Sequence, residues 1–241
     1  YSYAFSRKDN LYQKDYINRH DFNVAGFDTN PGGELEFGLS YIDKPDSRDA
    51  HRGWAIATQH VQQGFLGGKN KLAFQYGEGP GTGLGYTGNV KLDDSNKSYR
   101  VVEFFDWQVT PRFGGQVQAV YQKDVRPDGR DQNWMSVGVR PAYALTEQFK
   151  LVTELGHDQV DATGGTRKLS KFTFAPTWSP KGPEFWARPE VRVYYTYASW
   201  NQAAKRAANE LAKGSALSDT GAFGTARHGA NVGLQVEYWW N

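Results

Sequence analysis

The closing segment Asn231-Val-Gly-Leu-Gln-Val-Glu-Tyr-Trp-Trp240 alternates nearly without fault, and this constrains the fold more than any other feature of the chain. Val232, Leu234, Val236, Tyr238 and Trp240 share one parity; Asn231, Gly233, Gln235, Glu237 and Trp239 share the other. Successive side chains of a strand point to opposite faces, so the segment predicts a strand with one oily side. About ten residues is also the length a tilted strand needs to cross a hydrocarbon layer, and aromatic residues at its end suit the membrane–water boundary. One residue breaks the pattern: Trp239 puts a large ring on the polar face.

Composition agrees with strands crossing a membrane rather than helices. Hydrophobic residues make up 39% of the 241-residue chain, and no run approaches the roughly 20 apolar residues of a membrane helix. A barrel tolerates such polarity because only alternate residues meet lipid. The chain has 8 Trp, 14 Tyr and 27 Gly, a balance that favours strands, ring girdles and tight turns. Cysteine is absent, which excludes disulfides and thiolate metal sites. A net charge of +2 makes no electrostatic case for nucleic acid. The chain opens in strand-like residues, Tyr1-Ser-Tyr-Ala-Phe5, without a signal peptide, and is expected to be an internal start of a longer protein.

Strand-like runs fall at 1–6, 21–28, 34–42, 53–62, 70–78, 98–108, 112–123, 133–145, 148–158, 168–178, 185–199 and 228–240. Short connections carry turn residues: Thr29-Asn-Pro-Gly-Gly33, Thr110-Pro-Arg112, Leu145-Thr-Glu147 and Pro180-Lys-Gly-Pro183. Longer ones are expected at 7–20, 43–52, 79–97, 124–132, 159–167 and 200–227. Short turns on one side and long loops on the other are the mark of outer-membrane barrels. Within the longest loop, 201–213 is rich in helix formers and ends at Gly214, which predicts a short surface helix.

Parity separates two faces along most strands. Leu35, Phe37, Leu39 and Tyr41 oppose Glu34, Glu36, Gly38 and Ser40; Phe172, Phe174 and Trp178 oppose Lys171, Thr173 and Thr177. In the 185–199 run Val191, Val193, Tyr195 and Tyr197 form the oily set, while Arg188, Glu190 and Arg192 share the other face with Trp186. Trp186 and Trp239 are thus two indoles on charged faces. Two readings remain open for them: girdle aromatics where turns loosen parity, or pore-lining rings that stack on the apolar face of a sugar.

The segments Phe185-Trp-Ala-Arg-Pro-Glu-Val-Arg-Val-Tyr-Tyr-Thr-Tyr-Ala-Ser-Trp200 and Val236-Glu-Tyr-Trp-Trp240 resemble the maltoporin and sucrose-porin family of outer-membrane sugar channels. Asn30–Leu39, Asn70–Tyr76 and Trp134–Tyr143 add matches in the same order, so the resemblance spans essentially the whole chain. It implies an all-β, antiparallel transmembrane β-barrel of about eighteen strands, assembled as a homotrimer in the outer membrane of a Gram-negative bacterium, of which about twelve strands are present here. Residues 1–241 then form the C-terminal portion of a single barrel domain. The resemblance places Trp186 and Trp239 on the family's aromatic path through the lumen, the greasy slide, and Asn70 at a polar, sugar-contacting position. A further slide ring is expected just before Asn70. The sequence there reads Gly67-Gly-Lys-Asn70, a departure from the pattern, and the nearest ring is Phe65.

The expected function is passive, selective diffusion of di- and oligosaccharides of the maltodextrin, sucrose or β-glucoside class, without cofactor. Trp186, Trp239, Asn70 and Phe65 are the stacking and polar candidates. Arg188, Glu190, Arg192 and Glu237 are candidates for hydroxyl contacts, or equally for pairing with one another to brace the wall. A barrel enzyme of the outer-membrane phospholipase type is the alternative. It needs a serine beside an oriented histidine, and His20, His51, His60, His157 and His228 sit in no such pattern. A soluble carbohydrate-binding β-protein is the other, and it needs no oily face on nearly every strand. Asp124, Asp128 and Asp131 share a loop and have the donor type for Ca²⁺, but solvated loop charge is the expectation.

Overall fold

A computed structural model describes residues 1–10, 13–46 and 49–239. It contains strands β1 (Ser2–Asn10), β2 (Gln13–Asn30), β3 (Gly33–Ile42), β4 (Gly53–Phe65), β5 (Gly68–Glu78), β6 (Lys97–Thr110), β7 (Phe113–Val125), β8 (Gln132–Ala144), β9 (Phe149–Ala162), β10 (Gly165–Trp178), β11 (Glu190–Trp200) and β12 (His228–Glu237), with one helix, α1 (Gln202–Leu211). Each strand pairs with the next in one 12-stranded sheet, in the order β1 to β12. The fold is the expected all-β antiparallel one, with every connection a hairpin.

The chain divides into two compact units. One holds Tyr1–Gln63, Asn70–Glu103 and Val120–Trp134; the other holds Gly64–Lys69, Phe104–Ala119 and Met135–Asn241. Both show the same inversion of the usual rule for proteins in water. In the first, Phe22, Phe37, Leu39, Ile56, Phe74 and Tyr121 are all exposed. The opposite parity is tied together by polar contacts. Arg19 Nε donates to Asp21 Oδ1 (2.8 Å), Ser40 Oγ to the same oxygen (2.5 Å), and Arg100 Nε to Gln122 Oε1 (2.7 Å). In the second, Val137, Leu155, Phe172, Phe174, Tyr195 and Leu234 are exposed, while Glu154 accepts from Arg140 Nη2 and contacts Lys171 Nζ, each at 2.6 Å. An exposed apolar set on one parity of each unit suits contact with hydrocarbon.

A bulge preserves the pattern in β2. Val24 pairs with Phe37 but Phe27 pairs with Leu35, so Ala25 and Gly26 together oppose a single residue of β3. Gly26 takes φ +87°, a conformation that favours glycine, and Phe27 returns to the oily side.

Five boundaries differ from the sequence expectation. The expected long connection 7–20 is mostly ladder, with pairing from Ser2↔Asn23 to Asp9↔Tyr16. The expected loop 159–167 is a tight hairpin: Gly165 pairs with Ala162, and Gly164 and Gly165 take φ of +96° and +111°. Polar residues hid that hairpin, because Asp161 accepts from Thr166 Oγ1 at 2.6 Å and Gln159 Nε2 at 3.0 Å instead of being left to solvent. The expected tight turn at Pro180–Pro183 is part of a longer connection, 179–189. The strand expected over 185–199 begins only at Glu190. Pro183 and Pro189 have no N–H, while Gly182 N and Ala187 N bond locally to Ser179 O and Glu184 O, so this stretch cannot join a ladder. The final strand ends at Glu237, leaving Trp239 beyond it; the expectation for Trp240 lies outside the described residues. The short-and-long alternation therefore holds at most connections but fails between β1 and β2, at 163–164 and at 179–189.

Candidate functional site

The connection 179–189 lies on the polar face of the second unit. Phe185 is buried against Ala142, Val152 and Ala175, with Tyr194 beside it. These residues share the parity of Arg140, Glu154, Thr173 and Arg192. The Phe185 amide donates to Gln108 Oε1 at 2.9 Å, and the Trp186 indole Nε1 donates to Asp106 Oδ2 at 2.8 Å. Asp106 and Gln108 are two residues apart on β6 and so face the same way.

A cluster of charges sits beneath this connection. Lys150, on β9 and 2% exposed, donates from Nζ to Glu184 O at 2.8 Å and pairs with Glu190 Oε2 at 3.0 Å. Glu190, itself 2% exposed, also meets Arg188 Nη1 at 3.2 Å and is hydrogen-bonded by Arg192. Glu237 accepts from Arg188 Nε at 2.6 Å, Arg192 Nη2 at 2.7 Å and Gln235 Nε2 at 2.8 Å. Lys150, Arg188 and Arg192 thus face Glu190 and Glu237, an excess of positive charge held mostly out of water.

Two indoles cap the cluster. The Trp186 and Trp239 rings lie 6.1 Å apart between centroids at 36°, and the Arg188 guanidinium sits 4.8 Å from the Trp239 ring centre. Trp186 and Trp239 are 42% and 52% exposed, while Lys150, Glu190 and Arg192 are buried. Strand parity does not place these two residues. Trp186 and Arg188 precede β11, and Trp239 follows β12, so neither indole lies on a strand. What unites them with Arg188, Glu190, Arg192 and Glu237 is the folded connection.

The remaining candidates are placed elsewhere. Phe65 packs edge-on against Phe105 at 5.0 Å, and the ring series continues through Trp107 to Phe113. Phe105 and Trp107 share the parity of Tyr99 and Val109 on β6, the oily side. Gly64, at φ +76°, reverses the parity of the last β4 residue and turns Phe65 that way. Asn70 belongs to the other unit; its Nδ2 donates to Glu103 Oε1, and in β5 it shares the parity of Phe74 and Tyr76. The loop aspartates do not converge. Asp124 serves Ser98 and Gln122, Asp131 accepts from Arg126 N, and Asp128 binds Arg130, whose hydrogen bonds hold its carboxyl below the usual range. Among the described residues no group of metal-ligating side chains is assembled.

Asp106, Gln108 and Lys150 were not singled out from sequence. A signal for Asp106 was present: a lone carboxylate in Phe104-Phe105-Asp106-Trp107, on the parity opposite the adjacent rings.

The chain matches the LamB porin family model over residues 1–240. It belongs to the LamB porin family. That family is one of sugar channels in the Gram-negative outer membrane, not of enzymes, and its members are generally trimeric. A porin wall accounts for both faces of the sheet, one apolar and open, the other charged and cross-linked.

Proposed function

We propose that this LamB-family porin conducts di- and oligosaccharides passively through a lumen onto which Trp186 and Trp239 open as a stacking platform. The observation that carries this reading is the exposed indole pair standing over a buried charged cluster. Sugar rings present apolar C–H faces that stack on flat aromatic area, while their hydroxyls need polar partners at the edge. Glu237 is the most accessible carboxylate of the cluster and supplies that partner with Gln235. Glu190, Arg192 and Lys150 are spent on one another and brace the wall instead. Phe65, set among rings of the oily side, suits a lipid-interface girdle, and Asn70 is the least supported of the contact candidates. Weak sites of this kind admit a solute and still release it.

The chain is also proposed to be the C-terminal portion of one larger barrel that assembles as a homotrimer. The strand order is linear, with β1 and β12 at its ends, and hydrocarbon does not tolerate unpaired strand edges. Single-channel recording of the full-length porin tests the sugar reading. Maltotriose or sucrose is expected to interrupt the ion current in a concentration-dependent manner, and a current unaffected by either class of sugar overturns it.

A further inference from the structure

We propose that Asp106 is a positioning residue for the sugar platform: its carboxylate holds the Trp186 indole edge-on from behind, so that the ring face stays turned to the passing sugar. The proposal rests on the stacking role given to Trp186 above.

Asp106 is 4% exposed and its two oxygens are divided between two donors. Oδ2 accepts from Trp186 Nε1 at 2.8 Å, and Oδ1 accepts from the Lys69 backbone N at 2.5 Å. The second bond fixes the carboxylate itself, because it ties the side chain to the backbone at the start of β5. Space there admits only glycine: a Cβ on Gly68 would lie 2.6 Å from Asp106 Oδ1 and 2.2 Å from its backbone O. A carboxylate so held gives the indole a fixed, charge-assisted acceptor, stronger than a neutral one.

Trp186 has few other restraints. It sits in a connection rather than a strand, its neighbour Phe185 is anchored separately through Gln108, and its ring meets Phe185 edge-on at 84° and Trp239 at a 36° tilt. Neither ring contact fixes rotation of the indole as a directional hydrogen bond does. Trp239, by contrast, is backed by the Arg188 guanidinium. The platform is therefore held at one ring by a cation and at the other by an anion.

Full-length variants test this: Asp106→Asn, Trp186→Phe and the two combined, with Trp239→Ala and Trp186→Ala as references. Asn puts an oxygen at one of the two acceptor positions and an NH2 at the other, so one N–H donor loses its acceptor, whereas Phe keeps a ring and removes the donor. Maltotriose block of the single-channel current is expected to weaken several-fold in Asp106→Asn and in Trp186→Phe. The double variant is expected to match Trp186→Phe alone, because no indole N–H remains for residue 106 to hold. The exciton circular dichroism of the Trp186–Trp239 pair, taken as a difference from Trp239→Ala, is expected to diminish in Asp106→Asn. Equal further loss of block in the Trp186→Phe background, or an unchanged exciton signal, overturns the positioning role while leaving the platform standing. Undiminished block in Trp186→Ala overturns the platform and the positioning role with it. Should Asp106→Asn fail to assemble, unchanged block in Trp186→Phe, which keeps a ring and lacks the N–H, still overturns the proposal.

Discussion

The two long connections of the second unit, 179–189 and 201–227, are anchored by opposite strategies. The longer one is held largely from within. Asn201 caps α1 by accepting from Ala204 N at 2.9 Å, and the nearly buried Lys205 donates to Gly224 O at 2.9 Å and Ala226 O at 3.3 Å and pairs with Asp219 at 2.8 Å. Its partners lie within about one loop length, apart from the Asn201 contacts to Lys168 N and Thr166 O of β10. The shorter connection depends on residues far away in sequence: Asp106 and Gln108 on β6, Lys150 on β9 and Glu237 on β12. A loop closed by its own contacts can form a lid over strands that are already paired. A segment closed by distant strands takes shape only when those strands are assembled, and this is where the open indole pair sits.

The contrast can be broken most forcefully at Glu190. Glu190→Ala leaves Lys150, Arg188 and Arg192 close together with a single carboxylate, and removing one partner from a buried ion pair typically costs about 3–5 kcal/mol. The expected result is a marked drop in the denaturant or heat resistance of the assembled porin; a variant as resistant as the parent would show that the cluster does not hold the connection. Next in size is Trp239→Ala. Stacking losses on comparable aromatic platforms run about 1–3 kcal/mol, so maltotriose block is expected to weaken several-fold or more, with overall stability less affected. Unchanged block would remove Trp239 from the sugar path.

The self-contained connection should respond more mildly. Asn201→Ala deletes a helix cap and two bonds to β10, and the loss of a cap of this kind costs about 1 kcal/mol. Amide exchange in α1 is expected to accelerate while exchange in β11 and β12 stays slow; equal acceleration throughout would show that the loop is coupled to the wall. The smallest effect concerns pH. Hydrogen bonds from Lys205, and then from Asn209, hold the Asp219 carboxyl below its usual range. A depressed carboxyl stabilises the folded loop above the ordinary carboxylate range, and that contribution is lost as pH falls through the lowered value. Exchange of the Gly224–Ala226 amides should therefore quicken only in acid, and Asp219→Asn should abolish the acid step. An identical acid profile in that variant would assign the step to another group.

The strands, their faces and helix α1 were legible in the sequence because their determinants are local. Alternation such as Leu35, Phe37, Leu39 and Tyr41 against Glu34, Glu36 and Ser40 specifies a two-sided strand by itself, and a one-residue slip would reverse every side chain. Asn201 before a run of helix formers likewise marks α1 without help from the rest of the chain. Period two also misled where its premise failed. Phe185-Trp186-Ala187-Arg188 has strand-like composition, yet two prolines and local turn bonds keep it off the ladder. Only the assembled sheet decided where that segment lies and which groups hold it. A carboxylate on β6, an ammonium on β9 and a strand-end glutamate each bond the same connection, across as many as 80 residues of chain, and Coulomb and hydrogen-bond energies depend on separation in space, not along the chain. The alternating residues made this chain a wall with one oily and one charged side; the tertiary contacts chose which two of its tryptophans stand together above the charges.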